Sequence, residues 1–432
     1  MKVLKRTKIA LASLVAALAL YLAAALGYQA VAATPDDPRA DAPRYGGRGP
    51  DPVGVREAWT EDGAGGAPLR LVVWYPADGA DPHAVAAYAY ELAWFARIRG
   101  PFRTRGRATW NAPVAVAADA EARPLVVLSS GFALPAAGYV WLAERLASHG
   151  FVVVAPEHAE LMDVALDGFW KGVIDRPGEI RAVLAWAERA AAPGGLLDGV
   201  VDPARVAVVG HSLGGTAALA LAGARLDLRG FAEVCAEPAW SEGEHAFLCD
   251  LVLADVDAMA ARAGLGDVPA GPWPPVADDR VVAIVALASD AFLFGPRGLE
   301  SVRAPLLAIG GTRDASAPFA WSSGWAFAHA GSHRAALAAF EGAGHMVFAG
   351  SCGAVPFYRT VGAGGFCSDT VWSIDRAHDR IAHLVTAFLR AELAGDAEAA
   401  RALAPDGVSF DGVVVRSRGY GPAGVGFGPV VR

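Results

Sequence analysis

Charged residues are scarce in this sequence, and lysine is almost absent. Asp, Glu, Lys and Arg make up 19% of the 432 residues, and the formal net charge is −8. Lysine occurs at positions 2, 5 and 8 and then only at Lys171. Since the arginines are scattered, no basic stripe is available to follow a phosphate backbone, which excludes a nucleic-acid partner. The hydrophobic fraction of 54% excludes a disordered chain.

The first 33 residues have the pattern of an export signal. Four cations among the first eight residues precede a run without charge from Ile9 to Gly27, and Ala30-Val31-Ala32 follows as a small-residue cleavage site. The pattern favours a cleaved signal peptide over residues 1–33. Because the run is nearly long enough to cross a bilayer, an uncleaved N-terminal membrane anchor remains the alternative. Either case predicts an exported protein, periplasmic or secreted.

Cysteine is rare, with four residues and no C-x-x-C spacing, which disfavours a metal site. An even number of cysteines in an exported chain predicts disulfide bonds. The spacing favours the local pairs Cys235–Cys249 and Cys352–Cys367, and two other connectivities stay open.

The remainder divides into a linker over residues 34–52, a main domain over 53–393 and a C-terminal tail over 394–432. Short apolar runs alternate with helical patterns, which predicts a mostly parallel sheet flanked by helices, an α/β fold. A long insert over about 225–280 follows the helix after Ser212 and is expected to act as a lid. The predicted strands are Leu69–Tyr75, Leu125–Leu128, Phe151–Ala155, Val206–Val209, Val281–Ala288, Leu306–Ile309 and, as the last, Ala335–Phe340. The predicted helices are Tyr139–His149, Pro177–Ala191, Leu213–Ala224 and Arg376–Leu393.

Gly210-His211-Ser212-Leu213-Gly214 matches the pattern G-x-S-x-G. A predicted strand leads into this pattern and a helix of small residues follows, which is the context of a nucleophile elbow. Glycines are needed there because the turn is too tight for Cβ atoms beside the serine. Ser212 is therefore the candidate nucleophile.

A serine hydroxyl needs a histidine base, and that base needs an acid, in the chain order Ser, acid, His. His345 is the preferred base, since it follows Gly342-Ala343-Gly344 after the last predicted strand. Asp314 and Asp290 both follow strands, so from position alone either could be the acid. The other histidines after Ser212 are His245, His329, His333, His378 and His383.

The negatively charged oxygen of an acyl-transfer intermediate needs two donors. We expect one to be the backbone N–H of Leu213, directly after the nucleophile. The second is expected from the loop Ser129-Ser130-Gly131-Phe132, with the Phe132 N–H as the candidate. Neither a metal nor a cofactor is required.

Several stretches resemble exported hydrolases that group platelet-activating-factor acetylhydrolases with serine-bearing dienelactone-hydrolase-like proteins. They include PLVVLSSGF, LASHGFVVVAPEH, GHSLGG, RAPLLAIGGTRD and GAGHMVF, between Pro124 and about Phe388. The resemblance implies an α/β-hydrolase fold and hydrolysis of short acyl or lipid esters. GGTRDASAP is similar to the acid loop of the cutinase-like and dienelactone-like branches, which favours Asp314. Asp290 is similar to the acid of the animal acetylhydrolases.

The predicted function is therefore ester hydrolysis through an acyl-enzyme, with a small-molecule or lipid ester as substrate. Two other functions fit the same motifs: amide or peptide hydrolysis, and a non-catalytic envelope protein on a hydrolase scaffold. The sequence indicates no oligomeric state.

Overall fold

A single large sheet organises the chain in the computed structural model. The structure describes residues 12–24, 39, 41–61, 66–81, 83–89, 103–116, 121–162, 168–238, 246–360, 362–407 and 409–421. The strands are β1 Val53–Trp59, β2 Arg70–Pro76, β3 Ala86–Ala89, β4 Arg103–Gly106, β5 Thr109–Trp110, β6 Arg123–Ser129, β7 Val152–Pro156, β8 Val201–His211, β9 Val281–Leu287, β10 Leu306–Gly311, β11 Ala335–Phe340 and β12 Val413–Arg418. Each strand predicted from an apolar run is present, within a few residues of its predicted bounds.

The sheet has the order β12-β11-β10-β9-β8-β6-β7-β2-β1-β5, while β3 and β4 pair separately. Neighbouring strands from β7 through β6, β8, β9 and β10 to β11 are parallel. β2 is antiparallel to β7 and to β1, and β12 is antiparallel to β11. The carboxyl ends of the central strands therefore meet at one edge of the sheet, where ligands of open α/β sheets bind.

Helices cover both faces of the sheet, which explains why its central strands are apolar throughout. The helices are α1 Val140–Ser148, α2 Phe169–Ala191, α3 Leu213–Leu221, α4 Leu228–Cys235, α5 Ala246–Leu253, α6 Val256–Arg262, α7 Gly295–Leu299, α8 Ser323–His329, α9 Phe357–Thr360, α10 Ile374–Leu393 and α11 Ala397–Arg401. Residues of α1 and α10 belong to the core on one face. Residues of α2, α3 and α8 belong to the core on the other face. These predicted and observed layers agree on an α/β fold.

The sheet continues beyond Ala335–Phe340, the strand predicted to be the last. β12 lies in the predicted C-terminal tail and pairs along the whole of β11, from Ala335 opposite Arg418 to Phe340 opposite Val413. β12 ends in alternating arginines, VVVRSR, and is mostly half-buried, as an edge strand is. The short helix α11 lies in the same segment, and residues 422–432 of the predicted tail lie outside the described residues.

Helix α2 begins at Phe169, not at Pro177 as predicted. Pro177 lies within the helix, and the additional N-terminal turns bury Phe169, Val173 and Arg176. Proline inside a helix removes one backbone hydrogen bond. Burial of these turns against the insert offsets that loss, so tertiary packing overrides the local signal.

Part of the predicted linker over residues 34–52 packs against the main domain. Tyr45 is buried, and its N–H donates to His383 Nδ1 at 3.1 Å. Arg48 forms an ion pair with Glu144 at 2.9 Å. These contacts attach residues 41–52 to the body of the fold rather than leaving them as a free spacer.

The predicted signal or anchor segment is described only over residues 12–24, which are helical with exposed apolar side chains. In the part of the chain that the structure describes, no helix is long and apolar enough to span a membrane. The rest of residues 1–33 lies outside the described residues.

The insert over residues 225–280 contains helices α4, α5 and α6. Cys235 at the end of α4 is bonded to Cys249 in α5, and Cys352 is bonded to Cys367, so both predicted pairs are confirmed. The apolar side chains of these helices form a cluster with Phe169 and Leu213. The insert is thereby placed next to the residues that surround Ser212.

Candidate active site

Ser212 occupies a strained turn between β8 and α3. Its backbone has φ 54° and ψ −122°, a conformation that costs a non-glycine residue of order 1–3 kcal/mol. A Cβ atom at Gly210 would overlap the backbone of Gly214, and one at Gly214 would overlap the Ser129 carbonyl. The two glycines of the motif are therefore required by close backbone contact, and the turn projects Ser212 at the carboxyl edge of the sheet.

His345 and Asp314 meet at this same edge, from loops that follow β11 and β10. His345 Nδ1 lies 2.7 Å from Asp314 Oδ2. The other carboxylate oxygen, Oδ1, accepts hydrogen bonds from the backbone N–H groups of Ser316 at 2.9 Å and Ala317 at 2.7 Å. Both oxygens of Asp314 are thus acceptors with defined partners, and the ring of His345 is held by one of them.

Asp290, the other candidate acid, is buried near His345 but has a different partner. Its Oδ2 accepts from Thr216 Oγ1 at 3.2 Å, and its N–H donates to the same hydroxyl at 2.9 Å. Burial raises the pKa of Asp290 to about 6, although the His345 charge opposes the rise. The structure therefore pairs His345 with Asp314 and leaves Asp290 as a second carboxyl group at the site.

Opposing effects act on the pKa of His345. Burial lowers it, but the charge of Asp314, its hydrogen bond and the charge of Asp290 together raise the pKa above the ordinary value. The neighbouring His211 has its pKa lowered well below the usual value by burial and by the His345 charge. His211 is therefore neutral when His345 is charged.

A directed chain of hydrogen bonds joins three loops of the site. His211 Nε2 lies 3.2 Å from the His345 carbonyl, so this nitrogen must be the protonated one. His211 Nδ1 then accepts from the Tyr139 hydroxyl at 2.7 Å, and that hydroxyl accepts from the Gly131 N–H at 3.0 Å. The chain connects the Gly131 loop, the elbow and the His345 loop.

Ser212 and His345 open into a common cavity of about 510 Å³. Most of its lining is apolar, and helix α5 of the insert forms one wall. The lining residues are Gly131, Phe132, Ala133, Leu134, Phe169, His211, Ser212, Phe247, Leu248, Leu251, Asp290, Ser316, His345, Met346 and Phe366. Phe132 lies in the loop that follows β6 and lines the cavity. Leu213 is the first residue of α3 and is fully buried. The predicted site residues are thus brought together.

Three of the other histidines considered from sequence have partners outside the cavity. His378 stacks on Trp141 with ring centroids 3.6 Å apart and donates to the Ala349 carbonyl at 3.0 Å. His383 accepts from Tyr45, and His329 packs against Trp325. His245 lies outside the described residues.

A buried polar network behind the Gly131 loop was not predicted from sequence. His158, Glu160 and Glu179 place ligand-type atoms within 4.8 Å of one another. These atoms have protein partners: His158 lies 2.6 Å from Glu179 and 2.8 Å from Ser129, and Glu160 is paired with Arg176. A guanidinium already neutralises Glu160, so the chemistry of this cluster is that of an ion-pair network. No spacing in the sequence marks it, because its members come from the end of β6, the segment after β7 and helix α2.

Two family models match parts of the chain. The model described as PET hydrolase-like matches residues 112–253, and that of platelet-activating factor acetylhydrolase, isoform II, matches residues 43–165. Cutinase 2 of Thermobifida cellulosilytica is 34% identical over 104 residues, which is 24% of this chain and 36% of the relative. Cutinase cut1 of Thermobifida fusca is also 34% identical, over 24% of this chain and 30% of the relative. The chain thus matches about a third of the length of these curated relatives.

A solved structure extends the similarity to the whole fold. The ferulic acid esterase of Streptomyces cinnamoneus superposes with a TM-score of 0.53 at 21% identity, covering 84% of this chain and 94% of the esterase. At that identity the likeness concerns the fold. Together with the matched segments, it assigns the chain the α/β-hydrolase fold.

Proposed function

We propose that this member of the α/β-hydrolase superfamily is an exported serine hydrolase that cleaves carboxylic esters of short acyl groups or lipids. The observation that carries the proposal is the 2.7 Å contact between His345 and Asp314 beside a serine in a strained elbow. The matched cutinase, acetylhydrolase and PET hydrolase-like segments support ester substrates.

In the proposed reaction, Ser212 Oγ attacks the ester carbonyl while His345 takes its proton. Asp314 holds the imidazole in the tautomer whose free nitrogen faces the serine and stabilises its charged form. The N–H groups of Leu213 and Phe132 bind the oxyanion. His345 then protonates the leaving alcohol, and water hydrolyses the acyl-enzyme by the reverse sequence of proton transfers.

The walls of the cavity indicate the part of the substrate that lies against them. Phe247, Leu248 and Leu251 on α5 and Phe169 on α2 form an apolar surface. An acyl chain or aromatic acid that packs there would bury apolar area, and each Å² buried would stabilise the complex by about 25 cal/mol. The cavity is partly open to solvent and has a volume of about 510 Å³, and we expect it to accept short and medium acyl groups better than palmitoyl.

Disulfide bonds support the export proposal. Both pairs border the cavity, since Cys249 follows Leu248 and Cys367 follows Phe366. Disulfides form and persist outside the reducing cytoplasm. These bonds and the pattern of residues 1–33 support a periplasmic or secreted location.

The first test is hydrolysis of p-nitrophenyl esters from acetyl to palmitoyl by the chain that begins at residue 34. We expect the protein to hydrolyse these esters, with kcat/KM falling for the longest acyl chains. Treatment with a fluorophosphonate should give one adduct, on the peptide that contains Ser212. Hydrolysis of p-nitroanilides in place of esters would move the assignment to amide substrates. A folded protein with neither activity nor adduct would overturn the proposal.

Replacing Asp290 with asparagine should move the acid limb of the kcat/KM profile to lower pH. The Asp290 charge favours the protonated form of His345, so removing it lowers the pKa of the base and the neutral form persists at lower pH. The difference should narrow below about pH 6, where Asp290 itself is protonated. The measurement is kcat/KM from about pH 5 to 9.

Asp227→Asn provides the matched control, since Asp227 is a buried carboxylate paired with Arg297 outside the cavity lining. Its profile should keep the wild-type midpoint. An unchanged or higher midpoint in Asp290→Asn would contradict the electrostatic role of Asp290.

A further inference from the structure

Arg176 is a fully buried cation that lies behind the loop of Phe132. It belongs to α2 and is not among the residues that line the cavity. Its Nε donates to Glu160 Oε1 at 2.8 Å, and its Nη2 donates to the Gly131 carbonyl at 3.1 Å. Its Nη1 donates to the Ser130 carbonyl. One guanidinium therefore holds a carboxylate and two successive peptide carbonyls of the same loop.

The contact of Arg176 with the Gly131 carbonyl also sets the direction of the Phe132 N–H, because both groups belong to the same planar peptide. In a trans peptide, the C=O and N–H bonds point in opposite directions, and no described peptide bond is cis. Because the Gly131 carbonyl is directed at Arg176, the Phe132 N–H is directed away from it. Gly131, Phe132 and Ser212 line the cavity, whereas Arg176 does not.

The preceding peptide unit is held at both ends. Arg176 binds the Ser130 carbonyl, and the Tyr139 hydroxyl accepts from the Gly131 N–H at 3.0 Å. Neither peptide can rotate without breaking a buried hydrogen bond, which would leave a desolvated polar group unpaired. Arg176 and Tyr139 thus hold the loop in one conformation, although neither side chain lines the cavity.

We propose, on the basis of the serine hydrolase function above, that Arg176 is a positioning residue for the oxyanion hole. Its guanidinium orients the Phe132 N–H toward the oxygen on which negative charge develops in the transition state. Such a donor stabilises the transition state without reorientation, and this preorganisation is the source of most oxyanion-hole catalysis.

The charge balance of Arg176 decides how the proposal must be tested. Burial raises the pKa of Glu160, but the charges of Arg176 and His158 outweigh burial and hold that pKa below its usual range. Glu160 is therefore ionised, and removing Arg176 alone would leave a buried, unpaired carboxylate. The double variant Arg176→Met/Glu160→Gln removes both charges and the support of the loop.

The experiment compares a p-nitrophenyl ester with the corresponding thionoester, in which sulfur replaces the carbonyl oxygen. Sulfur accepts hydrogen bonds weakly, so the thionoester gains little from an oriented N–H. In the double variant we expect kcat for the ester to fall roughly 10- to 100-fold with KM little changed. The ratio of ester to thionoester rates should fall by a similar factor, which a general loss of stability would not produce.

Arg334→Met/Glu392→Gln is the matched control. This pair, 2.6 Å apart with a buried carboxylate, joins α10 to the residue before β11, at the opposite edge of the sheet. The control should keep the wild-type rate ratio. If the double variant at Arg176 does not fold, Arg176→Lys retains the buried charge but cannot span three acceptors, and its ratio should also fall.

Two results would overturn the assignment, and they are distinguishable. A wild-type protein inactive on esters would remove the proposed function and this role with it. An active wild type, with an unchanged kcat and an unchanged rate ratio in the Arg176 variants, would remove the role of Arg176 alone.

Discussion

Replacing Ser212 with alanine is expected to lower kcat for ester hydrolysis about 10⁴- to 10⁶-fold while the protein stays folded. The hydroxyl is the only group removed, and without it no acyl-enzyme can form. Removal of the nucleophile in a serine hydrolase leaves only the contribution of binding and the oxyanion hole. The assay is hydrolysis of the best p-nitrophenyl ester of the wild-type series, compared between the two proteins at equal concentration.

The backbone of the Ser212→Ala variant should keep the wild-type conformation. Ser212 has a positive φ, a strain that alanine bears as serine does, and its N–H donates to the Leu287 carbonyl at 2.8 Å in either case. The melting temperature should therefore be close to that of the wild type. Residual activity within about tenfold of the wild type, in a preparation free of other esterases, would assign the nucleophile elsewhere.

Replacing Asp314 with asparagine should lower kcat about 10³- to 10⁴-fold, the second largest effect expected. Both carboxylate oxygens are acceptors: Oδ2 for His345 and Oδ1 for two backbone N–H groups. An amide has one oxygen and one NH₂, so either orientation places a donor against a donor. If the NH₂ faces His345, the imidazole takes the other tautomer and its base nitrogen no longer faces Ser212.

Asp290→Asn is the decisive comparison, because both carboxylates follow strands and both are buried at the site. Asp290 hydrogen-bonds Thr216 and not His345, so its variant should keep kcat within about tenfold of the wild type at pH 8. The reverse order, with a large loss in Asp290→Asn and a small one in Asp314→Asn, would assign the acid to Asp290. Large losses in both would indicate that the two carboxylates act together.

The elements that could be predicted from the sequence are those whose signal is local. The strands from β6 to β11 are buried on both faces, so each appears as an apolar run bounded by turn residues. β1 and β12 are not predicted because each interrupts its apolar residues with charged ones, such as Arg56 and Arg418. β12 lies at one edge of the sheet, and β1 lies next to the two-residue edge strand β5. Helix α2 begins before the predicted Pro177 because burial of Phe169 and Val173 outweighs the local effect of the proline.

By itself, the sequence determined that Ser212 is the candidate nucleophile, since the strand, the glycines and the helix that build the elbow are contiguous. It also determined the two local disulfide candidates and the position of His345 after a strand. Only the tertiary structure decided which carboxylate reaches His345, and that Arg176 holds the Gly131 loop. The physical reason is that a hydrogen bond forms only when donor and acceptor lie within a few tenths of an ångström of about 2.9 Å, and no spacing along the sequence encodes such a distance between loops far apart in the chain.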